Sequence, residues 1–180
     1  MMGVFEVDDL EAARAVAEQY VGEGDGFLDL SAPPQEIASG WFFHADARFV
    51  GSNGIVVNKK TGRVLALGSA FPIERDLRFY DKGYQAKVYD LVVLAVNHLD
   101  TAVEHLVALE LSVVSPEYEA GAVWRIPRTL SEADIRTRLA DLPCVFGDQS
   151  LYFSLEELEQ AEDDGSFEFT AMPRLPRTYE

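Results

Sequence analysis

The stretch that decides the predicted fold is Ile55–Leu67, with the sequence IVVNKKTGRVLAL. Two apolar runs flank the polar segment Asn58–Gly62, whose Thr-Gly pair suits a tight turn because glycine adopts positive φ without strain. A second turn signal, Gly51–Gly54, precedes the first run, and the aromatic stretch Gly40–Ala45 lies before that turn. Strands separated by four or five residues that include glycine form antiparallel hairpins, so the sequence predicts an antiparallel meander.

A helix is predicted on the N-terminal side of this meander, separated from it by loops. Its apolar side chains fall on one helical face and are Leu10, Ala13, Ala17, Tyr20 and Val21. Asp8 and Glu11 have the spacing of a capping box, and Gly22 suits the residue that follows a helix. A helix of this kind buries its apolar face on one side of the sheet. Residues 1–82 are therefore predicted to form a domain in which an N-terminal helix packs on an antiparallel β-meander.

The second half of the chain alternates strand and helix patterns. Strands are predicted at residues 87–96, 123–126, 151–153 and 167–172. Helices are predicted to begin near Asp100, at Ser131 with a capping-box pattern, and at Ser154, the last ending at Gly165. Residues 83–180 are therefore predicted to form a second small module of α/β or α+β class, which makes the whole chain α+β.

Composition and charge restrict the classes of partner. The 180 residues are 48% hydrophobic, which is typical of a globular chain of one domain or two small ones. The 31 acidic and 15 basic side chains give a net charge of −16. Nucleic acids and anionic membranes are poor partners for that charge, and a basic protein is a good one. The N-terminus has neither a basic region nor an apolar signal core, which favours a cytoplasmic location.

The sequence offers no catalytic, metal or cofactor site, and we expect no enzyme. Cys144 lies between Pro143 and Val145, an apolar setting that raises the pKa of a thiol and disfavours a nucleophile. His98 and His105 are two helical turns apart, about 10 Å, which is too far for both to hold one metal ion. The glycines within Gly22–Gly26 follow a predicted helix and lack the preceding strand of a dinucleotide-binding loop.

The densest charge cluster covers residues 156–164 and allows two interpretations. It is either a solvated helix face with Leu155, Leu158 and Ala161 turned inward, or a surface that offers carboxylates to a cationic partner. Glu117 and Glu119 offer the same chemistry elsewhere. The candidate partner-binding residues are Glu117, Tyr118, Glu119, Glu156, Glu157, Glu159, Glu162, Asp163 and Asp164.

Three sequence pieces in the first half carry a family resemblance. They are Gly40–Phe43 (GWFF), Asn58–Val64 (NKKTGRV) and Gly68–Glu74 (GSAFPIE). In this order they resemble the immunity protein 35 family, small bacterial proteins found beside polymorphic toxins. The resemblance covers roughly residues 5–82, and the C-terminal module lies outside it. These motif residues suit turns and close packing, so they carry information about the fold and little about catalysis.

The resemblance implies a bacterial immunity protein that neutralises a cognate, basic toxin by tight stoichiometric binding, without a cofactor. We expect the acidic surface to attract the toxin and exposed aromatic side chains to hold it. The aromatic candidates are Trp41, Tyr118, Trp124, Tyr152 and Tyr179. The same resemblance also permits a chaperone-like or general protein-interaction module. A third alternative, an enzyme acting on a small molecule, requires a deep pocket with converging polar groups.

Overall fold

A computed structural model of the chain describes Val7, residues 9–22 and residues 28–174. The chain divides into two compact units, with the boundary between Gln85 and Ala86. The described residues form five α-helices and nine strands, and every strand pair is antiparallel. The protein is therefore α+β, as the sequence predicts.

The first unit contains the predicted meander. Its elements are α1 (Leu10–Gly22), β1 (Gln35–Glu36), β2 (Gly40–His44), β3 (Ser52–Asn58), β4 (Val64–Gly68) and α2 (Ile73–Asp81). The four strands pair in chain order, β1-β2-β3-β4. Strands β2, β3 and β4 coincide with the three apolar runs from which the meander is predicted, so that prediction is confirmed.

Both faces of this sheet carry a buried cluster because successive side chains of a strand point to opposite sides. The cluster on the α1 face contains Val7, Ala13, Ala17, Leu28, Phe43, Ile55 and Val57. The cluster on the α2 face contains Phe42, Val56, Leu67, Leu77 and Tyr80. Helix α1 therefore packs on the meander as predicted, and α2 covers the opposite face.

Two details at the helix starts differ from the sequence prediction. The backbone N–H of Ala12 donates to Oδ1 of Asp9 at 2.8 Å, so Asp9 caps α1, and Asp8 lies outside the described residues. The sequence predicts no element between β4 and residue 87, yet α2 begins there after Pro72 at its N-cap position. The ring holds Pro72 at φ −57°, and its missing N–H costs nothing at a helix start, where that group has no helical partner.

The second unit has an antiparallel sheet and a separate ribbon. Its elements are β5 (Tyr89–Val96), α3 (Leu99–Ala108), β6 (Ser112–Glu119), β7 (Ala122–Thr129), α4 (Glu132–Leu139), β8 (Cys144–Gln149), a 3₁₀ turn (Tyr152–Ser154), α5 (Leu155–Asp164) and β9 (Phe167–Pro173). Strand β5 lies between β8 and β9 in one sheet, and β6 pairs with β7 in another. The antiparallel pairing makes this module α+β, one of the two classes that the sequence predicts.

The helix ends of the second unit follow the sequence signals closely. Ser131 and Asp134 form the predicted capping box of α4, and Gly165 ends α5 with a left-handed φ of 63°. The strand predicted at residues 151–153 is wrong, because the 3₁₀ turn leads from there into α5. Strands β6 and β8 are missing from the sequence prediction.

Candidate functional site

Helix α5 carries most of the predicted acidic cluster and lies against α3 and β9. Leu155, Leu158 and Ala161 are buried, as the periodicity predicts. The acidic side chains occupy the rest of the helix surface, where Glu162, Asp163 and Asp164 are exposed and Glu156, Glu157 and Glu159 are half-buried. The helix is thus a packed core element whose outer face is anionic.

His105, in the last turn of α3, binds two of these carboxylates. Its Nδ1 lies 2.6 Å from Oε1 of Glu157, and its Nε2 lies 2.6 Å from Oδ2 of Asp164. Ionised carboxylates only accept hydrogen bonds, so a ring that donates from both nitrogens is the imidazolium. Partial burial opposes that charge, but the bonds to Asp164 and Glu157 outweigh the burial and raise the pKa of His105. The same ring lowers the pKa of Asp164.

This ion pair joins α3 to α5, so part of the acidic cluster serves to hold the two helices together. An imidazolium at the C-terminal turn of α3 suits the negative end of the helix dipole. Glu157 and Asp164, both candidate partner-binding residues, are engaged within the fold, and Glu162 and Asp163 remain exposed on the same helix. The sequence gives no signal for this contact, because His105 and Glu157 are 52 residues apart.

The remaining candidates, Glu117, Tyr118 and Glu119, lie at the end of the β6–β7 ribbon (residues 112–129). All three are exposed, and the Tyr118 side chain is 76% exposed. The base of the ribbon is fixed to β8 by Gln149, whose side chain accepts from Ser112 N at 2.9 Å and donates to Ser112 O at 2.8 Å. Ribbon and acidic helix are thus separate features of the second unit.

The ribbon exposes an unusual amount of apolar surface. Every residue of β7 is exposed, and Trp124 retains 56% of its accessible surface. The large apolar side chains exposed on the ribbon are Val114, Tyr118, Val123, Trp124 and Ile126. Scattered apolar residues on a protein surface need no explanation, but a group on one projecting element marks a contact site. Trp124 and Tyr118 are aromatic candidates from the sequence. Val123 and Ile126 lie in the strand predicted at residues 123–126 but, like Val114, are not among the predicted partner-binding residues.

The other aromatic candidates lie in different surroundings. Trp41 packs against the α1-face cluster, with its buried Nε1 lacking a hydrogen-bond partner. Tyr152 is half-buried in the 3₁₀ turn, and Tyr179 lies outside the described residues. Of the four candidates that the structure describes, only Tyr118 and Trp124 are exposed.

The cysteine and histidines form no catalytic arrangement in the described residues. Burial raises the pKa of the Cys144 thiol, an effect that the nearby Arg138 only partly offsets. His44 and His98 are exposed, and His98 is the N-cap residue of α3. No group of three or more His, Cys, Asp or Glu side chains within Val7, 9–22 and 28–174 is arranged to hold a metal ion.

An open groove lies between α3 and α4. Its lining includes the apolar side chains Val103 and Val107 and the charged side chain of Arg136. The guanidinium of Arg136 donates to Asp100 at 2.9 Å and to Glu132 at 2.8 Å, so these charges are paired with one another. The groove thus combines apolar side chains with charged ones, several of which are already paired with one another.

The motif residues behind the family resemblance have structural roles. A Cβ at Gly40 would lie 2.6 Å from Cγ1 of Val56 and 2.7 Å from the Val57 carbonyl oxygen, so the strand contact requires glycine. Gly62 has φ 63°, which a turn residue with a side chain rarely adopts. Oδ1 of Asn58 accepts from the backbone N–H groups of Lys60 and Thr61, both at 3.0 Å. These residues shape the meander and contribute no reactive group.

Comparison with known proteins adds no relative. No family model, curated protein or solved structure matches this chain. The resemblance to the immunity protein 35 family accordingly rests on the sequence of the first half of the chain, chiefly the motif residues in 40–74. None of the helices in the described part of the chain combines the length and the apolar character needed to cross a membrane.

Proposed function

We propose that this chain is a cytoplasmic immunity protein that neutralises one basic toxin by tight stoichiometric binding and transforms no substrate. The observation that carries the proposal is the exposed β6–β7 ribbon, on which Trp124 is exposed close to Glu117 and Glu119. Exposed aromatic residues are the usual anchors of protein interfaces, where they supply most of the binding energy. Carboxylates beside them favour a partner with Lys or Arg at the matching positions.

The charge of the whole chain supports the same class of partner. A net charge of −16 attracts a cationic protein over distance and speeds association, and salt weakens that attraction. Charge alone gives modest affinity, whereas protection from a toxin requires a dissociation constant of about 1 nM or lower, roughly −12 kcal/mol. An exposed aromatic anchor on the ribbon, Trp124, supplies contact area that this affinity needs.

Co-expression tests the proposal. The chain is expressed in bacteria together with the secreted effector encoded next to it, and growth and co-purification are measured. We expect the chain to restore growth and to co-purify with the effector in a fixed ratio. Toxicity that persists at full expression of the chain, with no complex recovered, would contradict the proposal.

A chaperone-like or general protein-interaction module is the second candidate function. The observation that favours it is that apolar residues are exposed on both faces of the ribbon, with Tyr118 on one and Trp124 on the other. Such a module binds many partly unfolded proteins weakly. Suppression of heat-induced aggregation of unrelated proteins, at a stoichiometric ratio, would favour this function over neutralisation of one toxin.

A further inference from the structure

The pairing of the β6–β7 ribbon sorts its exposed side chains onto two faces. Residues directly opposite in an antiparallel pair share a face, and neighbours along a strand alternate. Glu117 pairs with Trp124, Glu119 with Ala122, and Ser115 with Ile126, which defines a tryptophan face. The other face, the tyrosine face, is defined by three pairs: Tyr118 with Val123, Pro116 with Arg125, and Val114 with Pro127.

The two faces differ in charge. On the tryptophan face, Trp124 lies opposite one carboxylate, Glu117, and diagonal to another, Glu119. The cation of that face, Arg128, lies towards the base and is paired with Asp134 at 2.8 Å. On the tyrosine face the charged residue among the defining pairs is Arg125. A cationic partner is therefore attracted more strongly to the outer half of the tryptophan face than to the tyrosine face.

The edges of the ribbon are unsuited to strand addition. The backbone N–H of Ser112 donates to Gln149, away from β7. In an antiparallel pair, every second residue along each strand directs its N–H group away from the partner strand, and the register shows which residues of β6 and β7 do so. Pro116 on β6 and Pro127 on β7 occupy such outward positions, and proline has no N–H to offer. Each edge thus lacks a donor that an added strand needs, which leaves the faces as the contact surfaces.

Resting on the proposed function, we propose that the partner docks on the tryptophan face of the ribbon. The partner segment places an apolar side chain against Trp124 and Ile126 and a Lys or Arg beside Glu117 and Glu119. Trp124 is the central anchor, and the two carboxylates select the cationic partner. Tyr118, on the opposite face, lies outside this contact.

Matched variants of the full chain distinguish the two faces. Trp124→Ala and the double variant Glu117→Gln/Glu119→Gln alter the tryptophan face; Tyr118→Ala and Arg125→Gln alter the tyrosine face. With the neighbouring effector as ligand, Trp124→Ala is expected to weaken binding about 30-fold, the effect of losing an interface anchor. The double variant is expected to slow association about 10-fold at low salt. Both tyrosine-face variants should stay within about 3-fold.

Binding of a synthetic peptide of alternating Arg and Leu tests which face is used, without needing the effector. At millimolar peptide, the NMR signals of the Trp124 indole N–H and of the Glu117 and Glu119 amides are expected to shift, whereas a Glu-Leu peptide leaves them in place. Shifts centred on Tyr118 and Arg125, or no shift at all, would overturn the inference. Effector binding that responds more to the tyrosine-face variants would also overturn it.

The effector-binding measurements and the peptide titration together distinguish this inference from the proposed function. If the unaltered chain binds no effector but the peptide shifts the tryptophan-face signals, the toxin proposal fails and the docking face stands. If the effector binds tightly and Trp124→Ala leaves its affinity unchanged, the toxin proposal stands and the docking face fails. Unaltered melting curves of the variants, all at exposed positions, verify that each one is folded.

Discussion

At the scale of single residues, the His105 bridge makes the stability of the second unit depend on pH. Partial burial disfavours the charged ring, but the bonds to Asp164 and Glu157 prevail and raise its pKa above the usual 6.5. A group with a raised pKa in the folded state stabilises the fold fully below its unfolded pKa. That contribution is lost as the pH rises through the folded-state pKa.

The variant His105→Gln tests this bridge. The free energy of unfolding of the unaltered chain is expected to exceed that of His105→Gln at about pH 6, and the difference should shrink as the pH rises towards about 8.5. Denaturant unfolding across this pH range measures it. His98→Gln is the control, because His98 is exposed and its side chain makes no cap bond. A His105→Gln difference that is constant with pH would show that the bridge carries no titrating charge.

Gly54 is a second residue whose role is set by geometry. It has φ 137°, and a Cβ there would lie 2.0 Å from the Phe43 carbonyl oxygen. Gly54→Ala is therefore expected to lower the free energy of unfolding by about 2–4 kcal/mol through backbone strain and overpacking. Gly68→Ala is the matched control in the same sheet, since its Cβ would meet only the Gly51 carbonyl oxygen at 3.9 Å. Equal effects of the two substitutions in chemical denaturation would refute this explanation.

At the scale of elements, the turn of the β6–β7 ribbon is suboptimal. Ala120 and Gly121 both have positive φ, 50° and 83°, as a two-residue type I′ hairpin requires. Alanine is disfavoured at such a φ, whereas Asn-Gly is the preferred pair. Ala120→Asn is expected to stabilise the ribbon by about 0.5–1 kcal/mol. Hydrogen exchange of the β6 and β7 amides measures the effect.

The neighbouring glycine supplies the opposite test of the same turn. A Cβ at Gly121 would have no atom within 4 Å, so Gly121→Ala strains only the backbone. It is expected to speed amide exchange along the ribbon while Ala120→Asn slows it. Slower exchange in Gly121→Ala would contradict the assigned turn.

The elements that the sequence predicts are those with an internal pattern. The meander, α1, α4 and α5 have periodic apolar residues and glycine or cap signals, and the structure confirms them. Strand β6 lacks such a pattern because Pro116, Glu117 and Glu119 are all disfavoured in strands, and its exposed faces show no apolar alternation. Its register with β7, which sorts the two faces, is a property of pairing and cannot be read from either strand alone.

The candidate site also has a part that the sequence predicts and a part that only the folded structure shows. The exposed carboxylates of α5 follow from local helical periodicity, so the sequence predicts them. The engagement of Glu157 and Asp164 by His105 depends on how α3 packs on α5, which no local signal encodes. Likewise, sequence identifies Trp124 and Tyr118 as aromatic candidates, and only the three-dimensional structure separates them from the half-buried Trp41.

At the scale of the whole molecule, the net charge and the exposed ribbon favour the same class of partner. The excess of 31 acidic over 15 basic residues is visible in the composition, and it gives the sign of the partner but no contact position. The ribbon gives the position, because exposed aromatic residues there lie beside carboxylates. We therefore expect binding to combine a salt-sensitive association rate with a dissociation rate set by the apolar contact.

The most direct measurement is a calorimetric titration of the unaltered chain with an active-site-inactivated form of the neighbouring effector, at low and at high salt. The proposal predicts one effector per chain, a dissociation constant of about 1 nM or lower at low salt, and weaker binding at high salt. No heat of binding at micromolar concentrations would contradict it. So would an affinity that is indifferent to salt, since the anionic surface would then play no part in recognising the partner.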